Sequence, residues 1–388
     1  MKILYDSQIF DSQKYGGISR YFCELFKYLI KTPENKYILS IRDTKNEYLQ
    51  KNQLFSGNVS YRKSIIPVYN FKLQRLLSNI WDFIDSGSNR NRTIKKLKGL
   101  KFDIFHPTYY STYFLKYLKD KPFVLTVYDM THEIYPKYFS LGHNIRIRQK
   151  KELILRASKI IAISGNTKKD IMRIYNIPEN KINVIHLANS LEKTNSTPTN
   201  ITNIPKQYIL YVGSRHVYKN FIFFVNSIVP ILNKDKSLNL VVAGGYSGKD
   251  KFSKEEIELF KKLNIINQVT QYSVDDETLA YLYQNALCFV FPSLYEGFGI
   301  PVLEAYACDC PAIISNTSSL PEVGGDAAMY FDPKSSKEIL ESVNKVIYDN
   351  NLRKEMITRG REQLKKFSWE KTATETIKTY SEVISSNI

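Results

Sequence analysis

No uninterrupted apolar run in the 388 residues approaches the roughly 20 needed to cross a bilayer, so the sequence offers no candidate membrane span. Cysteine is scarce. Cys23, Cys288, Cys308 and Cys310 have neither metal-ligand spacing nor histidine company, and three of them stand in apolar surroundings. That excludes a disulfide framework and a zinc site, and leaves four small core residues of a cytosolic protein. Acidic residues are outnumbered, 38 Asp and Glu against 55 Lys and Arg, for a formal net charge of +17. Such an excess attracts nucleic acid, an anionic membrane or an acidic substrate. Zinc-finger spacing, an RNA-binding aromatic signature and nucleotide-ladder repeats are all missing, which sets nucleic acid aside. There is no short internal repeat, coiled coil or low-complexity tail. Met1-Lys-Ile-Leu-Tyr-Asp6 alternates and acquires a charge at its end, so it is expected to be a first strand and not a secretory signal.

What is present is the making of two α/β domains. Hydrophobic content of 43% and the length allow two cores of ordinary size. Strand-like runs at Phe123 to Tyr128, Ile160 to Ser164, Tyr208 to Val212, Leu238 to Ala243 and Leu287 to Phe291 alternate with helical apolar spacing. The tract from Asn189 to Pro205, rich in Asn, Ser, Thr and Pro, lacks an apolar period and reads as the connection between them. The most informative stretch is Phe291-Pro-Ser-Leu-Tyr-Glu-Gly-Phe-Gly-Ile-Pro-Val-Leu-Glu304. It reads as strand, loop and helix start, with Pro301 in the first turn, where its missing N–H is no loss. Gly297 and Gly299 permit a tight loop and close backbone approach, and the helix N-terminus favours an anion such as a phosphate. Glu296 and Glu304 are acceptors suited to sugar or ribose hydroxyls, although acidic residues at a helix start also serve simply to cap it.

Other loops follow strands in the same way. Gly213-Ser214-Arg215 closes one strand, with Lys219 four residues on, and these two cations can grip an anionic group. Gly244-Gly245 closes the next. In the first half, Gly16 and Gly17 lie in a strand-to-helix loop, and Asp129 and His132 lie just past the strand ending at Tyr128, where open α/β sheets place ligands. His106 reads as a strand-end histidine without chemistry. The basic stretches at 90–101 and 146–159, interleaved with apolar residues, suit either an anionic lipid surface or a solvated face.

The paired glutamates around Gly-Phe-Gly-Ile-Pro-Val-Leu resemble the motif of the retaining family 4 glycosyltransferases. Tyr211-Val-Gly-Ser-Arg215, Tyr218-Lys219-Asn220, Val242-Ala-Gly-Gly-Tyr246 and Ser318-Ser-Leu-Pro-Glu322 resemble the same family in the same order. Tyr15-Gly-Gly-Ile-Ser-Arg-Tyr21 and Thr126-Val-Tyr-Asp-Met-Thr-His-Glu-Ile-Tyr-Pro136 are similar to the branch that builds bacterial surface polysaccharides. The resemblance implies the GT-B fold, two facing Rossmann-like domains with an interdomain cleft. Its expected division is an acceptor-side domain at 1–190, a linker at 191–205, a nucleotide-sugar domain at 206–370, and a terminal helix at 371–388 returning to the first domain. It implies transfer of a sugar, with retention, from a nucleotide sugar such as GDP-mannose to a hydroxyl of a lipid-linked or growing surface glycan. With two cations and the helix start at 301 supplying the field, no cofactor or metal is expected to be required.

By the same resemblance Glu296, Arg215, Lys219 and His132 are the catalytic candidates. Gly16, Gly17, Gly213, Gly244, Gly245, Tyr272, Gly297, Phe298, Gly299, Ile300 and Glu304 are the candidates for holding the nucleotide sugar, alongside Arg215 and Lys219. Tyr128 stands where relatives often carry a histidine, and Gln271 where they commonly carry a glycine near the base. Glu322 is expected to organise structure rather than move a proton. The implied place of work is the cytoplasmic face of the inner membrane. A nucleotide-sugar epimerase of the same fold and a noncatalytic glycan-binding protein are the alternatives; the first would turn over without an acceptor.

Overall fold

The computed structural model describes residues 1–55, 60–61, 87–139, 143–199, 201–244 and 251–386. In the first half the strands are β1 (Lys2–Tyr5), β2 (Lys36–Leu39), the short pair β3 (Asp43–Thr44) and β4 (Ser60–Tyr61), then β5 (Ile104–His106), β6 (Val124–Val127), β7 (Lys159–Ala162) and β8 (Ile182–Val184). β1 lies between β2 and β5, and β7 between β6 and β8, with every pairing parallel. Among the described residues one parallel bridge, from Phe105 to Phe123, connects the two sets. Parallel strands covered on both faces require continuous apolar runs, and Val124–Val127 is buried throughout.

The second half carries β9 (Gln207–Val212), β10 (Leu238–Ala243), β11 (Val269–Tyr272), β12 (Cys288–Phe291), β13 (Ala312–Ser315) and β14 (Met329–Phe331). They form one parallel sheet in the order β11-β10-β9-β12-β13-β14. The chain builds outward from β9 in one direction and then returns to build in the other. The ends of β9 and β12 therefore flank a topological switch point, where a doubly wound sheet leaves a crevice. This is the two-Rossmann, GT-B architecture. All four cysteines are buried thiols, and burial pushes Cys288 and Cys308 up to about 12.

The helix Trp369–Ser385 lies against the first half. Tyr380 Oη stands 2.6 Å from Tyr5 Oη and 2.7 Å from His106 Nδ1, Asn183 Nδ2 donates to Thr379 Oγ1 at 3.0 Å, and Trp369 Nε1 donates to Ser190 Oγ at 2.8 Å. His106, whose other nitrogen meets Thr126 Oγ1 at 2.9 Å, is thus a fully buried structural link.

The halves touch along the crevice. Glu322 accepts from the Gly165 N–H at 2.9 Å and sits 2.5 Å from His186 Nε2, so a carboxylate of the second half caps the helix Gly165–Tyr175 of the first. That is the organising role the sequence suggested. Tyr295 Oη donates to Asp170 Oδ2 at 2.8 Å. A Cβ on Gly297 would stand 1.8 Å from the Tyr128 carbonyl oxygen, so only glycine lets this loop lie on the first half.

Candidate active site

The crevice wall is assembled from strand ends. Gly213 follows β9 at φ +132 and Gly244 follows β10 at φ +114, a region that favours glycine. A Cβ on Gly244 would sit 2.7 Å from the Gly213 carbonyl oxygen, so these two turns pack backbone to backbone. Past β12, Gly299 at φ +119 caps the helix Ile300–Ala307, with Pro301 in its first turn. The loop before it is clamped from the next strand end. Ser319 Oγ donates to the carbonyls of Glu296 (2.9 Å) and Phe298 (2.7 Å), and Ser318 Oγ accepts from the Glu296 N–H at 2.9 Å. The Leu294 N–H donates to the Tyr218 carbonyl at 2.8 Å, which fixes this loop to the turn carrying Lys219.

Lys219 and Glu296 are brought together, Nζ to Oε1 at 2.6 Å, with side chains 15% and 13% exposed. A cation and a hydrogen-bond acceptor therefore share one spot in the crevice. Glu304 lies deeper, its Oε2 accepting from Tyr283 Oη at 3.4 Å. Burial raises its carboxyl above the ordinary value, and the Arg20 charge opposes that rise.

Arg215 is placed differently from the sequence reading. Its Nε donates to Glu256 at 2.6 Å, Nη1 to the Gly244 carbonyl at 3.0 Å and Nη2 to the Lys251 carbonyl at 3.3 Å, with the guanidinium against Phe252 and Phe221. Its side chain is 1% exposed. Glu256 is also the reciprocal cap of the helix Lys254–Lys262, so Arg215 braces the loop after β10 and does not face an open crevice. Tyr272 directs its hydroxyl to the Thr202 and Asn203 carbonyls, tying β11 to the connection between the halves. Gln271 donates to the Gly244 carbonyl at 2.7 Å. Phe298 packs among His186 and Phe367 as a core ring. Gly245 lies outside the described residues.

On the opposite wall Gly16 is the cap of the helix Gly17–Leu29, and a Cβ there would run into the Gln13 side chain at 2.3 Å; at Gly17 a Cβ meets nothing. His132, on the short helix Thr131–Ile134, rests on Phe139 with ring centroids 4.1 Å apart. It lines a small cavity of about 30 Å³ with Tyr109, Tyr110, Asp129, Arg146 and Lys150. Asp129 is buried, which works against its charge, yet Lys150, the Thr131 N–H and His132 hold its carboxyl below the usual range. Lys150 itself bonds the Asp129 carbonyl at 3.0 Å and Glu133 at 2.8 Å. Sequence reasoning missed this buried pair, because its partners lie 17 and 21 residues from Lys150 with no motif joining them. It also missed the contacts of Arg20 with Asp276, which belong to different halves.

Among the described residues no helix is long and apolar enough to cross a membrane.

The family model for glycosyl transferases group 1 matches residues 193–363, and that for glycosyltransferase family 4 matches residues 15–192. O-antigen chain mannosyltransferase B of Escherichia coli is 31% identical over 267 residues, 66% of this chain and 69% of that one. Among solved structures, sucrose-phosphate synthase from Thermosynechococcus elongatus superposes with a TM-score of 0.72 at 18% identity, covering 99% of both chains. Anabaena HepE, solved with UDP and glucose, superposes at 0.70 with 15% identity, over 98% of this chain and 100% of that one.

Proposed function

Because the chain belongs to the glycosyltransferase family whose two models together span residues 15 to 363, we propose that it transfers a mannosyl residue from GDP-mannose to a surface-glycan hydroxyl. The acceptor in this reading is lipid-linked or a growing bacterial surface polysaccharide, and the anomeric configuration is retained. The observation that carries the reading is the Lys219–Glu296 pair beside the N-terminus of the helix Ile300–Ala307. A nucleotide sugar brings the complementary set of groups, an anionic diphosphate for the lysine and helix end, and sugar hydroxyls for the glutamate. As the bond between sugar and phosphate breaks, negative charge grows on the leaving diphosphate, and a prearranged cation lowers that barrier. Glu296 orients the sugar, and Glu304 accepts the ribose hydroxyls. Front-face attack, with the leaving phosphate oxygen taking the acceptor proton, accounts for retention without a protein nucleophile. Arg215 serves this site by holding the Gly244 carbonyl, and His132 meets the sugar or the acceptor. The mannosyl assignment is supported by the name of the Escherichia coli relative, and the use of a nucleotide sugar by the UDP bound to the Anabaena protein.

The work is done at the cytoplasmic face of the inner membrane, where the basic stretches meet anionic lipid. The test is incubation of the purified chain with GDP-mannose, UDP-glucose or dTDP-rhamnose, with and without a defined lipid-linked oligosaccharide. Acceptor-dependent transfer from GDP-mannose, with retention in the product NMR spectrum, is the expected result. Conversion of donor without acceptor would instead mark an epimerase, and inversion would overturn the mechanism.

A further inference from the structure

Residues from both halves converge on Glu304. Arg20 stands in the first turn of the helix Gly17–Leu29, whereas Asp276 opens the helix Asp276–Asn285 and Glu304 belongs to Ile300–Ala307. The Arg20 guanidinium crosses the crevice to lie 3.3 Å (Nη1 to Oδ1) and 3.4 Å (Nη2 to Oδ2) from Asp276, and 3.8 Å (Nη1 to Oε1) from Glu304. Tyr48 of the first half stacks beneath it, 5.7 Å from guanidinium carbon to ring centroid. Among the described residues no other cation comes within 4.0 Å of the Glu304 carboxylate. The Arg20 side chain is 13% exposed and that of Glu304 8%, so water screens this pair little.

A buried glutamate can receive two hydroxyls of a vicinal diol only while it is ionised, because a protonated carboxyl gives up part of its accepting capacity. Burial works against the charged form here, and so does Asp276; Arg20 is the largest influence in the other direction, with a smaller one from the Tyr283 hydroxyl. Tyr48 and Cys308 are the remaining titratable groups that sense the Glu304 charge.

We propose that Arg20 is a positioning residue for the nucleotide ribose: reaching over from the opposite half, it holds Glu304 as a fully accepting carboxylate. The ribose site is then complete only where the two halves meet. The proposal rests on the ribose role given above to Glu304. It differs from a general electrostatic attraction of nucleotide, because its effect passes through one carboxylate and disappears with it.

The experiment is a double-mutant cycle read by calorimetry, with GDP-mannose and UDP-glucose as probes, since neither carries a phosphate that titrates near neutrality. Arg20→Met should weaken binding of the better probe by about tenfold or more, with the loss shrinking as pH rises and Glu304 ionises. Arg20→Lys should restore a flat profile. In a Glu304→Gln background Arg20→Met should add little, because its target is gone. Additive losses from the two substitutions, or an Arg20→Met profile as flat as wild type, would overturn the inference. If Glu304→Gln alone left affinity unchanged, the ribose assignment itself would fall; if it weakened binding and Arg20→Met did not, only the role of Arg20 would.

Discussion

Lys219 Nζ and Glu296 Oε1 stand 2.6 Å apart where the turn after β9 meets the loop after β12, each side chain less than one-sixth exposed. A charged pair so placed is held in low dielectric, and removing one member leaves the other uncompensated. On the proposed function, a donor placing its diphosphate against the lysine and its sugar against the glutamate would separate the pair while satisfying both members.

On the proposed function, where the Lys219 charge acts on the leaving group, Lys219→Met should reduce transfer by about 10²-fold, with a smaller effect on acceptor KM. Steady-state kinetics on protein whose folding is verified by its melting curve provides the check. Lys219→Arg is not expected to rescue fully, since a planar fork replaces a point charge in a site about 2.6 Å from its acceptor. Unchanged turnover in the Met variant would assign Lys219 to a structural ion pair.

Glu296→Gln should leave nucleoside diphosphate affinity near wild type while lowering turnover and blurring discrimination between nucleotide sugars that differ at a hydroxyl. Its carboxylate is in the loop clamped by Ser318 and Ser319, so the substitution leaves the loop backbone held. Calorimetry with GDP and with GDP-mannose separates the two contributions. Full transfer with unaltered selectivity would sink the sugar-orienting role.

The helix His143–Arg156 displays Arg148 and Lys151 on its surface and leaves Ile145 63% and Leu155 49% exposed. Large apolar side chains among cations suit reversible docking on an anionic bilayer. Vesicle sedimentation should show binding to phosphatidylglycerol-containing but not to purely zwitterionic vesicles, and the bound fraction should fall as salt rises. Replacing Arg148 and Lys151 by Glu should weaken it. Equal binding to both vesicle types would remove the electrostatic argument.

Much of this is legible in the sequence alone. The strands β6, β9, β10 and β12 announce themselves because a parallel sheet covered on both faces needs unbroken apolar runs, and Tyr208–Val212 and Cys288–Phe291 supply them. Glycines at 213, 244 and 299 were readable as turns, and all three adopt positive φ. What stayed hidden is the direction in which long side chains point. Arg215 looks in sequence like a cation presented to a ligand, and its partner Glu256 lies 41 residues away in a helix cap that no local pattern connects to it. The same holds across the crevice. Glu322 meets His186 and the start of the helix Gly165–Tyr175 only because the halves face each other, and periodicity within a half carries no record of that. The strand pair β3 and β4, two residues each, is too short to show a period.

His106 gives the stability of the fold a pH dependence separate from catalysis. Its imidazole is fully buried between Tyr380 Oη and Thr126 Oγ1, and burial lowers its pKa to about 3. The unfolded chain takes up that proton near the ordinary value of 6.5. Below 6.5 the unfolded state therefore holds a proton that the native state refuses, and this contribution to stability declines as pH falls, continuing until the native imidazole itself titrates near 3. His106→Gln keeps a donor and an acceptor at the site but has nothing to titrate. Between about pH 7 and about pH 4.5 the wild-type melting temperature should fall more steeply than that of His106→Gln, and the two should converge toward the acid end. Tyr380→Phe, which removes the hydroxyl shared by Tyr5 and His106, should cost about 1–3 kcal/mol at neutral pH by leaving buried groups unpaired. Melting curves across that range decide the matter: parallel wild-type and His106→Gln profiles would mean that water reaches this histidine and that the terminal helix is not anchored through it.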